Sequence, residues 1–258
     1  MTTLAVHADQ PVEGLPLVLL HAFPLDSRMW EPVVELLPGI PVVRIDAPGF
    51  GDTPPRGEPG LEAYARDVVV AIRELGADQA VVAGLSMGGY VAMAIAEATP
   101  GVLAGIGLLS TKAAADAEPA RAKRYEMAAD VERGKTDVAL PMLDGLLGQT
   151  SRQSRPDLVD SVREQLRTAP AAGIAWAQRS MAARPDRLAG LSASPEGLPA
   201  LVLRGAEDTL MSDDDAAAMA DALGVEVVEI AAAGHLVALE DPEAVAGALA
   251  DLYRECAT

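Results

Sequence analysis

A serine at a tight turn is the strongest chemical feature of the sequence. Ser86 stands in the string Gly84-Leu85-Ser86-Met87-Gly88, which follows an apolar run and precedes a run of small, helix-forming residues. Glycines relieve crowding at such a strand-to-helix turn, and the serine hydroxyl then projects beyond the sheet edge. A glycine-rich turn that only caps a helix would give the same string. The strand before it and the helix after it favour a nucleophile.

A serine hydroxyl is a weak nucleophile unless a base removes its proton, and the chain has three histidines. His7 lies near the N-terminus, where we expect a mobile chain. His21 ends an apolar run, where we expect it to hold a loop by hydrogen bonding. His235 follows a predicted strand, at the sheet edge where ligands gather in open α/β folds. His235 is therefore the predicted base.

The base needs a carboxylate that fixes its tautomer and stabilises its imidazolium. Asp208 follows a predicted strand in Gly205-Ala206-Glu207-Asp208 and is the predicted acid, with its neighbour Glu207 as the alternative. Acidic residues elsewhere stand at predicted helix N-termini or beside a Pro-Gly turn, where carboxylates accept from free N–H groups. Structural roles are therefore predicted for Asp26, Asp46, Asp52 and the run 213–215.

The helix that starts at the serine turn offers a donor for negative charge. The first N–H groups of a helix have no intrahelical acceptor. The backbone N–H of Met87 can therefore donate to the oxyanion that develops during acyl transfer. Met87 is a predicted oxyanion-hole residue.

Short apolar runs alternate with stretches of helical periodicity, which is typical of a mostly parallel sheet flanked by helices. The predicted strands are 17–20, 41–45, 80–83, 106–109, 200–204 and 226–230. The predicted helices are 27–37, 61–75, 90–98, 121–133, 158–166, 174–183, 214–223 and 242–253. Since 112–195 shows no strand signal, the sequence predicts an α/β core of residues 1–111 and 196–258 with an inserted helical cap at 112–195.

Composition narrows the partners and the location. The 38 acidic and 20 basic side chains give a net charge of −18, which repels nucleic acids and acidic membrane surfaces. One cysteine excludes an intramolecular disulfide and a cysteine-built metal site, and the sequence shows no other metal-ligand or cofactor motif. Because no apolar run spans a bilayer and Met1-Thr2-Thr3-Leu4 lacks signal-peptide features, we expect a cytoplasmic protein.

Taken in order, the motifs resemble the α/β-hydrolase family across nearly the whole chain. They are His21-Ala22-Phe23-Pro24, Asp46-Ala47-Pro48-Gly49-Phe50-Gly51, Gly84-Leu85-Ser86-Met87-Gly88-Gly89, Gly205-Ala206-Glu207-Asp208 and Gly234-His235. The order Ser86, Asp208, His235 is that of the family's nucleophile, acid and base. The resemblance implies an α/β-hydrolase fold with an inserted helical cap. It also implies that the Phe23 N–H is the second oxyanion donor and that the Phe23 ring lines the pocket.

Two departures from the family pattern are visible. Ala22 replaces the glycine that usually follows the histidine, and the N-terminal hairpin before Leu17 is shorter than usual, so the first strand of this hairpin is expected to be missing. Within the family, the chain resembles most the branch of 3-oxoadipate enol-lactonases and cofactor-free haloperoxidase-like esterases. A serine at position 86 argues against haloalkane dehalogenases and epoxide hydrolases, which use an aspartate there.

The resemblance implies hydrolysis of a small carboxylic ester or lactone, without a cofactor or a metal. The same triad could instead cleave carbon–carbon bonds or small peptides, or perform perhydrolysis, and a substrate panel separates these reactions. A non-catalytic ligand-binding protein of this fold is the alternative from another class. Trp176 of the predicted cap is expected to contact substrate, the alternative being ordinary helix core.

Overall fold

The computed structural model describes residues 3–8 and 12–257. Met1, Thr2, residues 9–11 and Thr258 lie outside the described residues. The predicted core begins at residue 1 and ends at residue 258, and both ends lie outside the described residues. The same is true of Met1 and Thr2 in the segment tested for signal-peptide features.

A mixed sheet of seven strands, counted over the described residues, forms the centre of the molecule. The strands are β1 Val6–Ala8, β2 Leu17–Leu20, β3 Val42–Ile45, β4 Ala80–Leu85, β5 Leu103–Leu109, β6 Ala200–Gly205 and β7 Val227–Ile230. Their order across the sheet is β1-β3-β2-β4-β5-β6-β7. The pair β1 and β3 is antiparallel and the other neighbours are parallel, so the predicted mostly parallel sheet is confirmed.

One strand, β1, precedes β2 in the described residues, where a hairpin would have two, so the expectation of a shortened N-terminal hairpin agrees with the structure. Val6 pairs with Ile45 and Ala8 pairs with Val43, so β1 extends the sheet beyond β3. Three residues are too few to show the alternation by which a strand is read from sequence. The expectation of a mobile position for His7 is wrong, because His7 is the middle residue of this strand.

Helices cover the sheet. They are α1 Glu31–Val34, α2 Leu61–Glu74, α3 Met87–Ala98, α4 Glu118–Glu132, α5 Leu143–Leu146, α6 Gln149–Ser154, α7 Pro156–Thr168, α8 Ala171–Ala183, α9 Leu188–Ser192, α10 Asp213–Leu223, α11 Val237–Glu240 and α12 Pro242–Cys256. Short 3₁₀ helices span Ser27–Trp30, Pro100–Val102 and Leu140–Met142. Strand β2 is fully buried along its length, which explains its uninterrupted apolar sequence.

Polar residues begin the helices where the sequence indicates. Asp26 accepts from the Arg28 N–H at 3.0 Å before the first 3₁₀ helix. The acidic run 213–215 forms the first turn of α10, where Ser212 and Asp215 accept reciprocally from each other's backbone N–H groups. The helix predicted at 27–37 is shorter than expected, because it consists of the 3₁₀ turn Ser27–Trp30 followed by α1.

Helices α4 to α9 follow β5 and precede β6, and no strand occurs between β5 and β6 in this described part of the chain. Helices α4 and α8 pack against each other within the segment. Arg187, just before α9, forms ion pairs with Glu62 of α2 and Glu97 of α3, so the segment is joined to the helices on the sheet. None of the described helices combines the length and apolarity needed to cross a bilayer.

Candidate active site

Ser86 occupies a strained turn between β4 and α3. Its φ of 53° and ψ of −108° lie in a region that non-glycine residues rarely adopt. A Cβ atom on Gly84 would lie 2.1 Å from the carbonyl carbon of Gly88, and one on Gly88 would lie 2.1 Å from the carbonyl oxygen of Leu20. Only glycine at both positions lets helix α3 start this close to the sheet.

Hydrogen bonds fix the Ser86 backbone on both sides. Its N–H donates to the Leu109 carbonyl at 2.9 Å. Its own carbonyl accepts from the Thr111 hydroxyl at 2.8 Å. Both partners belong to β5 or to the residues directly after it, so the neighbouring strand holds the strained turn in place.

His235 and Asp208 lie together at the carboxyl ends of the last two strands. The Nδ1 atom of His235 is 2.9 Å from Oδ2 of Asp208, and both residues are buried. The other oxygen, Oδ1, accepts from the N–H groups of Leu210 at 2.8 Å and Met211 at 3.1 Å. The carboxylate is therefore oriented from one side by backbone and from the other by the imidazole.

The electrostatics of this pair fix the tautomer of the histidine. Burial raises the pKa of Asp208, but the hydrogen bonds from His235 and from the backbone outweigh burial and hold this pKa below its ordinary value. An ionised carboxylate can only accept, so Nδ1 of His235 carries a proton and donates it to Asp208. In the neutral ring Nε2 is then unprotonated, which is the state that a general base requires.

Glu207, the alternative acid, points elsewhere. Its carboxylate accepts from the N–H of Thr150 at 2.7 Å and from the Thr150 hydroxyl at 2.5 Å. The structure thus brings Asp208 to His235 and connects Glu207 to the helical segment.

The two predicted oxyanion donors follow strands that are neighbours in the sheet. Met87 is the first residue of α3, which follows β4, and Phe23 comes three residues after β2. Since β2 and β4 are parallel neighbours, these residues leave the same edge of the sheet. The ring of Phe23 is buried and packs edge-on against Phe50 at 6.2 Å between centroids. The donor roles of Phe23 and Met87 stay predictions.

His21 holds the Phe23 loop, as the sequence suggests. Its Nε2 accepts from the Ala47 N–H at 2.9 Å, so Nδ1 carries the proton and donates to the Ala22 carbonyl at 2.9 Å. Burial lowers the pKa of His21, which keeps the ring neutral. The imidazole thereby ties the Phe23 loop to the turn that contains Phe50.

His7 serves the structure around Asp46. Its Nε2 lies 2.8 Å from Oδ2 of Asp46, whose carboxylate also accepts from the N–H groups of Ser27 at 2.8 Å and Asp52 at 3.0 Å. One possible metal-ligand atom from each of His7, Asp46 and Asp52 lies within 4.8 Å of the other two. This cluster was not predicted from the sequence. The hydrogen bonds of Asp46 agree with its predicted structural role.

Trp176 lies on helix α8 and is 3% exposed. Its indole N–H donates to the Glu58 carbonyl at 3.1 Å, and its ring meets the ring of Tyr64 edge-on at 6.1 Å between centroids. These contacts join α8 to α2 and to the loop before it. Contact of Trp176 with substrate stays a prediction.

Sequence analysis misses Glu240, a buried carboxylate five residues after His235. Its two oxygens accept from the N–H groups of Gly234 at 2.9 Å and Gly148 at 2.8 Å. The only signal in the sequence is an acidic residue that ends the apolar run 236–239.

Comparison with known proteins places the chain in a family. The model of the alpha/beta hydrolase family matches residues 17–248. A biotin biosynthesis bifunctional protein of Cellvibrio japonicus is 31% identical over 94% of this chain and 48% of its own length, so the chain spans about half of that relative. A 3-oxoadipate enol-lactonase of Acinetobacter baylyi is 25% identical over 93% of this chain and 89% of its own.

A solved structure agrees with this result. A thermophilic esterase from Thermogutta terrifontis superposes with a TM-score of 0.92 at 35% identity, over 99% of this chain and 94% of its own. The predicted α/β-hydrolase fold is therefore confirmed, and the enol-lactonase branch named from the sequence is represented among the relatives. The chain belongs to the alpha/beta hydrolase family.

Proposed function

We propose that the chain is a serine hydrolase that cleaves a carboxylic ester or a lactone through an acyl-enzyme on Ser86. The observation that carries this proposal is the 2.9 Å contact between His235 and Asp208. This contact occupies Nδ1 and leaves Nε2 as the ring nitrogen available to Ser86, which stands at the same sheet edge. The esterase and lactonase activities named for the relatives support the same reaction class.

In the proposed acylation step, Nε2 of His235 takes the Ser86 proton as Oγ attacks the substrate carbonyl. The N–H groups of Phe23 and Met87 donate to the resulting oxyanion. The carbonyl re-forms, the bond to the leaving oxygen breaks, and His235 returns the proton to that oxygen. Asp208 stays ionised throughout and stabilises the imidazolium.

In deacylation, His235 takes a proton from water, and the resulting hydroxide attacks the acyl carbonyl. The tetrahedral intermediate then expels Ser86, which recovers its proton from His235. The complete reaction consumes the ester and one water, and His235 carries the protons between the reacting oxygens. No further reactant is therefore required. Segment 112–195 is proposed as the cap over the site, with Phe23 and Trp176 as substrate contacts.

The substitution Ser86→Ala tests the proposal. We expect turnover of p-nitrophenyl esters and small lactones to fall by about 10⁴-fold or more, since the whole covalent route is removed. The exposed Ser161 offers the matched control Ser161→Ala, which should keep wild-type turnover. Thermal unfolding shows whether both variants are folded. A folded Ser86→Ala protein with near-normal ester hydrolysis contradicts the proposal.

The substitution Trp176→Ala tests the proposed substrate contact. If the indole forms a wall of the acyl pocket, its removal should raise kcat/KM for long acyl chains relative to acetate. The variant should also lose about 3–5 kcal/mol of stability, since a large buried side chain is removed. An unchanged order of acyl preference in the folded variant would assign Trp176 to packing alone.

A further inference from the structure

Glu240 places a carboxylate between the loop that carries His235 and the helical segment 112–195. It is 8% exposed, and its Oε1 accepts from the Gly234 N–H at 2.9 Å while Oε2 accepts from the Gly148 N–H at 2.8 Å. Gly234 directly precedes His235, and Gly148 directly precedes α6. One carboxylate therefore connects the backbone of the His235 loop to the backbone of the helical segment.

The two backbones touch at this point. A Cβ atom on Gly234 would lie 2.2 Å from the Gly148 nitrogen, and a Cβ on Gly148 would lie 2.9 Å from the Gly234 nitrogen. Both residues are buried. Because no side chain separates the two backbones, the position of one determines the position of the other.

Further hydrogen bonds join the same two regions. We call residues 146–155 the clamp segment. Its Leu146 carbonyl accepts from the Leu236 N–H at 3.0 Å, and its Arg155 donates from Nη1 to the Glu240 carbonyl at 2.6 Å. The clamp segment thus contacts the chain before and after His235. Through Thr150 it also contacts Glu207, the residue next to Asp208.

The hydrogen bond to Asp208 does not by itself fix the position of the His235 backbone. Asp208 fixes the Nδ1 side of the His235 ring, whereas the backbone around His235 determines how far Nε2 reaches toward Ser86. A displacement of about 1 Å at a reacting group can reduce a rate by about 10²-fold. A charged acceptor forms stronger hydrogen bonds to N–H groups than a neutral one, so a carboxylate suits this position.

We propose that Glu240 is a positioning residue for His235, which sets the reach of its Nε2 by holding the His235 loop against the clamp segment. This inference rests on the proposed function, because it takes His235 as the base. Glu240 does not touch substrate in this account. Its effect is on the rate of the chemical step and not on substrate affinity.

The substitution Glu240→Gln tests the inference. Glutamine has the same shape, but only one of its two terminal atoms accepts, so its NH₂ group faces one of the two N–H groups. We expect kcat for p-nitrophenyl acetate, and the rate constant for inactivation by a fluorophosphonate, to fall by about 10- to 100-fold. KM should stay within about twofold, since ground-state binding is unchanged.

Glu243 offers a matched control, because it is exposed and lies three residues further along the chain. Glu243→Gln should keep wild-type kcat and KM. Thermal unfolding gives the folded fraction, so kcat is calculated per folded molecule. A purely structural role of Glu240 would lower the unfolding temperature and leave this corrected kcat unchanged.

A second variant decides the case in which Glu240→Gln does not fold. Arg155 is exposed, and Arg155→Met removes its hydrogen bonds to the carbonyls of Leu239 and Glu240 while keeping an apolar stem. We expect kcat to fall by about three- to tenfold with KM unchanged. The control is Arg163→Met, since exposed Arg163 pairs with Asp160 on its own helix.

The outcomes separate this inference from the proposed function. If the wild-type protein is folded but neither hydrolyses esters nor reacts with the fluorophosphonate, the proposed function fails and this inference fails with it. If the wild type is active and folded Glu240→Gln matches Glu243→Gln in corrected kcat, only the inference is overturned. The same holds if KM rises while kcat is unchanged. A fall in kcat alone supports both.

Discussion

A Cβ atom placed on Gly173 would lie 2.4 Å from the carbonyl oxygen of Gly49, so the first turn of helix α8 rests directly on the turn after β3. Phe50, the next residue of that turn, packs against His21 and Phe23. The turn that contacts helix α8 is therefore also the turn whose Phe50 packs against the loop of the proposed oxyanion hole.

The substitution Gly173→Ala should destabilise the protein, because the added methyl group meets backbone that cannot turn away. We expect a loss of about 1–3 kcal/mol, as for other overpacked interiors. Gly247 is a matched control, since it is an exposed helical glycine with no atom within 4 Å of an added Cβ. Gly247→Ala should gain about 0.5–1 kcal/mol. Urea unfolding measures both, and equal stability of the two variants would contradict the close contact.

The roles of two adjacent carboxylates can be separated by amide substitutions. Asp208→Asn should lower kcat by about 10⁴-fold, because an amide no longer fixes the His235 tautomer. Glu207→Gln should cost less than about tenfold, since this side chain contacts Thr150 and not the histidine. Steady-state hydrolysis of p-nitrophenyl acetate by both folded variants is the measurement. A larger loss for Glu207→Gln than for Asp208→Asn would reverse the assignment of the acid.

A buried ion cluster joins the two ends of the helical segment. Asp116, before α4, accepts from Nη2 of Arg184, after α8, at 3.0 Å and from Nε of Arg124 of α4 at 2.5 Å. Arg184 also lies over the ring of Tyr90 on α3, with 4.1 Å to its centroid. Burial raises the pKa of Asp116, but the two guanidinium groups outweigh burial and hold this pKa well below its ordinary value.

A pKa that differs between the folded and unfolded states makes the free energy of unfolding depend on pH. Because the pKa of Asp116 is lower in the folded state, this group stabilises the fold above its unfolded pKa of about 3.9. That contribution is lost as the pH falls through the folded pKa. Asp116→Asn should remove the pH-dependent part and cost about 3–5 kcal/mol at neutral pH, because the buried arginines lose their counter-charge.

Urea unfolding between neutral pH and about pH 2 checks this prediction. The wild-type free energy of unfolding should fall more steeply below about pH 4 than that of Asp116→Asn. Exposed Asp251, which pairs with Arg254 on its own helix, provides the control Asp251→Asn. Identical acid slopes for wild type and Asp116→Asn would show that the cluster does not contribute.

Local sequence patterns were sufficient to predict the mostly parallel sheet and the longer helices that flank it. Apolar runs flanked by turn residues predict six of the strands, and chain order together with the sheet edge predicts Ser86, Asp208 and His235 as a group. In the structure Asp208 contacts His235, whereas Glu207 contacts Thr150. Because the two acidic residues are adjacent in the sequence, the sequence alone does not show which of them reaches the histidine.

Other features depend on contacts between distant parts of the chain. Glu240 and Gly148 are 92 positions apart, so no local pattern reveals their hydrogen bond. Strand β1 is defined by pairing with β3 and not by its own three residues. The short helices α5, α6 and α9 have four to six residues, too few for helical periodicity to stand out.

The central claim is that Ser86 is an activated nucleophile. A fluorophosphonate reacts covalently with activated serines, and intact-mass analysis followed by peptide mapping locates the adduct. We predict a single adduct on Ser86 in the wild-type protein and no adduct in folded Ser86→Ala. An adduct on another residue, or an unlabelled wild-type protein that is fully folded, would contradict the account.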